Sequence, residues 1–408
     1  MSEATSKATP NAALPEHLSR PALRRIHPVP LQRENQLFLG LQDPLMLSGQ
    51  MMVVPPQAFQ VMQLFNGERS LEEICKTIGA NDPQPLQDLV SKLDEFGLLW
   101  GPTCESLEDK KRAELGSAGA FPAQATRILG EDPAVIRSQL EKWLDEAEDA
   151  EIDEPVVGLV TSHLEYARGH PLYAASYRTV AKGPKPDRVV VLGSNHFGIG
   201  DGAIVSDLGF DSPLGRVPAD RGVIDRLRAS TGDRLFKDVL DIFPEYSLQF
   251  QLPWIQHLFG NVPVVAAIVP DPNAGLFADD GARLGAADFV AALEGALQAE
   301  GGRTLVVASA DLSRAGQAFG EPGPVDAKRR KDVEMFDRQM ISEYIGGADG
   351  FVARMREQKN PTRWTSVGAL MAASKLAKPK SVELIDYRQA VDEQGHGLIS
   401  SAAMVFLG

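Results

Sequence analysis

Apolar and polar positions recur along this 408-residue chain in patterns that change character near residues 20, 103 and 154. Beyond Glu154, short apolar runs bounded by glycine and polar residues predict buried strands at 156–161, 188–193, 203–206, 263–269, 303–309, 382–387 and 400–406. Helical spacing between them predicts helices at 171–182, 221–230, 246–259, 283–300, 327–346, 348–358 and 366–376. Strands alternating with helices imply an α/β domain over 154–408, with a mostly parallel central sheet and flanking helices.

The preceding segments differ. Residues 1–19 form a polar tail expected to be disordered. Residues 20–102 predict strands at 36–44 and 50–55, then three helices, of which the second begins at Ser70 with an acidic first turn and the third carries Leu86, Leu89, Val90 and Leu93 on one face. A closing strand at 97–100 completes the pattern of a small α+β winged-helix domain. Residues 103–153 predict a charged helical linker, in which Asp132-Pro133 caps a helix and the acidic run from Asp145 to Glu154 is solvated.

Composition narrows the function classes. A formal charge of −14 argues against nucleic acid as a partner. Two cysteines, Cys75 and Cys104, are too few for a disulfide framework or a cysteine zinc site, and with no apolar h-region at the N-terminus they predict a cytoplasmic protein. No run approaches the roughly 18 consecutive apolar residues of a membrane span.

The candidate chemistry collects at strand ends. His163 and His196 each follow an apolar run, and a parallel βαβ unit would bring both to the crevice where open α/β sheets bind ligands. His170, in the loop after His163, is a further candidate. No Gly-x-Ser-x-Gly elbow or phosphate-binding glycine fingerprint is present.

Five ordered motifs, His163-x-x-Tyr166-x-x-Gly169, Leu192-Gly-Ser-Asn195-His196-x-Gly198, Ser212-Pro-Leu-Gly215, Glu245-Tyr-Ser-Leu-Gln-Phe-Gln-Leu-Pro253 and Ser309-Ala-Asp311-Leu-Ser313, resemble the MEMO family, known in bacteria and archaea as AmmeMemoRadiSam system protein B. The resemblance implies a fold related to the class III extradiol dioxygenases, a pocket of histidines and carboxylates with a metal in some members, and AMMECR-type and radical SAM proteins as partners; in that pocket Asp311 and Glu245 would be carboxylates able to ligate, to orient a histidine or to act as a base, Tyr246 would supply a phenol, and Ser313 and Arg314 would line the wall. The stretch Phe65–Ile74 with Leu93–Leu99 resembles PqqD-like domains, which implies recruitment of a peptide or protein at an exposed strand edge. Two departures bear on chemistry: the family's Glu-His-Ser is Glu245-Tyr246-Ser247 here, and the histidine ending the Asp-x-Ser/Cys-His motif is Arg314.

Two readings follow. In one, the protein is a metal-assisted or acid/base oxidoreductase-like enzyme, with His163 and His196 as ligands of a divalent Fe, Cu or Zn, or with no metal. In the other it is a non-catalytic adaptor with a degenerate pocket. Arg314 is expected to weaken or abolish metal binding by placing a fixed positive charge in the pocket, where it would pair with Asp311.

Overall fold

A computed structural model describes residues 14–198, 200–276 and 281–408. Contacts divide the chain into two units between residues 114 and 115. The first contains α1 (Glu16–Ser19), the antiparallel strands β1 (His27–Arg33), β2 (Gln36–Gln42) and β3 (Met52–Val54), and helices α2 (Pro56–Met62), α3 (Leu71–Ile78) and α4 (Gln84–Glu95). Leu41, Met62, Ile74, Leu93 and Leu99 are buried at its centre. The α3 start is a reciprocal cap: Ser70 Oγ accepts from the Glu73 N–H, and the Glu73 carboxylate accepts from the Ser70 N–H. Strand β1 escaped the sequence reading because Pro28 and Pro30 break its pattern; proline is tolerated on the edge of a sheet. The predicted closing strand at 97–100 is reduced to one bridge between Leu99 and Leu23.

The division falls within α5 (Pro102–Ala118). In the second unit, β4 (Ala120–Phe121) and α6 (Pro133–Glu146) precede the main sheet. Its remaining strands are β5 (Val156–Thr161), β6 (Arg188–Gly193), β7 (Ile204–Val205), β8 (Gly209–Ser212), β9 (Gly215–Val217), β10 (Val264–Ile268), β11 (Thr304–Ser309), β12 (Asp311–Ala315), β13 (Ser381–Val391) and β14 (Leu398–Leu407). Helices α7 (Tyr166–Ala181), α8 (Arg221–Thr231), α9 (Tyr246–Gln249), α10 (Leu252–Phe259), α11 (Ala286–Glu300), α12 (Ala327–Gly346), α13 (Ala348–Glu357) and α14 (Val367–Ala377) connect them.

The main sheet runs β12-β14-β5-β11-β6-β10-β7, with β13 on β14, and its four central strands β5, β11, β6 and β10 are parallel. Their valine-rich sequences are almost wholly buried, as a sheet covered on both faces requires. Strand β4, within the segment read as a linker, pairs with β8 in a second small sheet.

Three differences from the sequence reading affect the site. Strands β5 and β6 are not neighbours, because β11 lies between them. Helix α7 begins at Tyr166, with Pro171 inside it rather than at its start. The helix expected over 246–259 is two, α9 and α10, with Pro253 in the first turn of α10.

Candidate functional site

Three strand ends build the site. β5 delivers Ser162 and His163, β6 delivers Ser194, Asn195 and His196, and between them β11 ends at Ser309. Gly193 lets α9 approach the end of β6, since a Cβ there would collide with the Ser247 hydroxyl. Glu245 is the N-cap of α9: its side chain accepts from the Ser247 N–H at 2.8 Å.

The spare capacity of Glu245 goes to His196. Its carboxylate accepts from the His196 backbone N–H at 2.9 Å and lies 3.0 Å from Nδ1. Burial pushes the Glu245 carboxyl upward, but His196 and these hydrogen bonds outweigh it and hold the group below the ordinary carboxylate range. An ionised carboxylate only accepts, so the His196 proton sits on Nδ1 and the lone pair on Nε2. That lone pair faces the Arg314 guanidinium at 2.8 Å, with Thr365 Oγ1 at 3.5 Å. Both nitrogens of His196 are therefore engaged.

His163 is fully buried. Its Nδ1 lies 3.1 Å from the Ser309 carbonyl oxygen, an acceptor, which fixes the proton on Nδ1. Among the described residues Nε2 has no hydrogen-bond partner, although Asp311 Oδ2 is 3.2 Å away. Burial pulls the His163 imidazole down to about 4, despite the opposing pull of Asp311. Asp311 stays ionised, because burial is outweighed by His163, by the hydroxyls of Ser401 and Ser162 on Oδ1 at 2.6 and 2.7 Å, and by Arg314. The His163 backbone N–H also reaches Oδ1 at 3.1 Å.

Aromatic rings enclose the pair. His163 meets His196 edge-on at 4.9 Å between centroids, and Tyr246 stacks on His196 at 4.7 Å. Burial pushes the Tyr246 phenol well above its ordinary range, so it is a donor, not a phenolate. His163, His196, Glu245, Tyr246, Asp311 and Arg314 thus converge.

Three expectations need correction. Arg314 engages His196 Nε2 rather than Asp311. Ser313 turns away from the histidines into another buried network: its hydroxyl donates to Asp337 Oδ1, and Trp364 Nε1, Tyr387 OH and Ser400 Oγ reach the same carboxylate at 3.0, 2.8 and 2.5 Å. The cause is a register shift in β12 between Asp311 and Arg314, which breaks the two-residue alternation. His170 is also elsewhere, because α7 has already begun; its ring stacks on Trp143 at 4.8 Å and its Nδ1 lies 2.9 Å from the Tyr166 carbonyl oxygen.

The sequence reading missed Ser309, Gln251 and Thr365. Gln251 Nε2 donates to the Ser162 carbonyl at 2.9 Å and to Ser309 Oγ at 2.8 Å, linking α10 to the ends of β5 and β11. A glutamine amid apolar residues between Phe250 and Leu252 was the available signal.

A family model described as "Memo-like protein" matches residues 121–405, well over half of the chain. The chain belongs to the Memo-like family. Among relatives, it is 28% identical over 245 residues to a MEMO1 family protein of Caldivirga maquilingensis, covering 59% of this chain and 79% of the relative. A MEMO1 family protein of Aquifex aeolicus is 23% identical over 308 residues, 74% of this chain and 77% of its own. The family match ends short of the first unit, which lies before residue 115.

Family resemblance implies a metal, and the donor set tests it. Among the described residues no group of three or more His, Cys, Asp or Glu side chains is disposed to hold an ion. His196 Nε2 is taken by Arg314 and both Glu245 oxygens face His196, which leaves His163 Nε2 and Asp311 Oδ2 as available donors. Two donors beside a fixed guanidinium do not fit a facial triad.

Proposed function

We propose that this Memo-like protein is a binding component of a radical SAM-associated modification system, whose histidine cleft holds a guanidinium in place of a metal. The observation that carries this reading is Arg314 at 2.8 Å from His196 Nε2, which occupies the lone pair a metal would need. Metal analysis of protein purified without chelator tests it. Iron, copper and zinc well below one equivalent are expected; one tightly held equivalent overturns the reading.

The first unit fits the recruiting half of such a role. Its sequence resembles PqqD-like winged-helix domains, and β1 lies at the edge of the three-strand sheet, where a peptide can add a strand through main-chain hydrogen bonds. AMMECR-type and radical SAM proteins are the partners the resemblance implies. Deleting residues 1–101 should abolish capture of the system's peptide or protein substrate in pull-down, and capture retained by the truncated chain would remove this part of the proposal.

An acid/base reading draws on a different observation. His163 is held neutral, with an unpaired Nε2 beside the Asp311 carboxylate. That arrangement is suited to taking up one proton shared by the two atoms.

A further inference from the structure

His170 leads to a second site, away from the paired histidines. It lines a cavity of about 460 Å³ between α6, α7 and β13, walled also by Trp143, Glu146, Glu148, Asp386 and Arg388. None of these residues belongs to the cluster around His163 and His196.

The cavity's hydrogen-bonding character is one-sided. His170 Nδ1 faces the Tyr166 carbonyl oxygen at 2.9 Å, so the proton sits there and Nε2 is an acceptor. Glu146, Glu148 and Asp386 add carboxylates, which only accept. Among the described residues of the lining the one cationic side chain, Arg388, already donates its Nε to Asp386 at 2.6 Å. Lys142, exposed beside the rim, lies 3.7 Å from Glu146, so three carboxylates are set against one guanidinium and one ammonium and the balance stays negative; the floor of Pro171, Ala174, Ala175 and Ile385 is apolar. Stacking on Trp143, which itself stacks on Trp254 at 5.9 Å, holds the imidazole in place. A complementary ligand carries several N–H donors, a positive charge and a short aliphatic stem.

We infer that this cavity receives the side chain of a lysine from a basic polypeptide. A polypeptide is favoured over a free amine by what continues beyond the rim. The acidic segment 145–154 leads from this cavity to a neighbouring one of about 960 Å³, lined by Glu141, Asp145, Asp149, Glu151 and Asp153 with Arg178, Lys182 and His257. Flanking basic residues would lie along that acidic surface, and the chain's overall charge of −14 would steer such a partner toward it.

The test is fluorescence anisotropy of the full-length protein with a labelled lysine-rich octapeptide, compared with the same peptide carrying Nε-acetyllysine and with cadaverine as competitor. The lysine peptide should bind and the acetylated one should not. Glu146→Gln with Glu148→Gln, at two exposed positions, should weaken binding about tenfold, a difference of about 1.4 kcal/mol. His170→Phe preserves an aromatic ring against Trp143 but removes the acceptor, and should weaken binding similarly. A control, Glu334→Gln at a half-exposed position of α12 remote in sequence from the cavity lining, should change nothing. Equal binding of the acetylated peptide overturns the inference, as does wild-type affinity in both cavity variants or an equal loss in the control. Cadaverine binding without peptide binding overturns the assignment to a polypeptide.

Discussion

Replacing Tyr246 and Arg314 together with histidine is expected to turn the cleft into a metal site, raising affinity for Fe(II), Cu(II) or Zn(II) by about 1,000-fold or more. Wild-type Arg314 acts in two ways: it occupies His196 Nε2 at 2.8 Å, and it places a permanent positive charge where a cation would sit. At an effective dielectric near 20 the repulsion costs about 2 to 4 kcal/mol per unit charge at separations of roughly 4 to 8 Å. For a divalent ion the cost is twice that, so even at the larger separation its removal yields about 1,000-fold, each 1.4 kcal/mol being about tenfold. The double variant also adds two neutral nitrogen donors, one on β12 and one on α9. Competition against a chelator of known strength measures the change. Arg314→Met, which removes charge without adding a donor, should recover part of the gain. Unchanged affinity in both variants would falsify the argument.

A second expected result concerns acid. His163 has an ordinary value of 6.5 that burial pulls to about 4 in the folded protein. Between those values the unfolded chain binds the proton and the folded chain does not, so stability rises with pH through this window and is lost as pH falls from about 6.5 toward about 4. The contribution of this one group is up to ~3 kcal/mol, at 1.36 kcal/mol for each pKa unit. Below the window both states are protonated and the loss levels off. His163→Gln, which cannot titrate, should flatten the curve of chemical-denaturation stability against pH over this range. An identical slope in variant and wild type would place the acid sensitivity elsewhere.

The sequence revealed the site better than it revealed the route by which the chain builds it. His163 and His196 were legible because each closes a run of consecutive buried apolar residues, a pattern that marks both strand and strand end. Glu245 and Asp311 followed from their motifs. What stayed hidden depends on long-range pairing: Ser309 enters the site because β11 inserts between β5 and β6 from about 110 residues downstream of β6, and no local spacing records that. Ser313 and His170 were misplaced for a local reason, the departure of the backbone from expected periodicity at a register shift and at an early helix start. Strand β12 itself was missed, its sequence Asp-Leu-Ser-Arg-Ala offering little β-branched character.

The register shift in β12 makes this corner of the molecule sensitive to chain length as well as to side-chain identity. Asp311 faces His163, Ser313 faces Asp337 and Arg314 reaches His196, three destinations that a regular two-residue alternation would not serve. Downstream, the Arg314 backbone N–H is fixed to the Thr362 carbonyl at 2.7 Å, while Asp337 ties Ser313 to Trp364, Tyr387 and Ser400. A relative that lacked one residue between the Asp and the following basic position would keep both of those residues and yet turn its guanidinium toward the wrong wall. Substitution tables would miss such a loss of function; only the count of residues between Asp311 and Arg314 would record it.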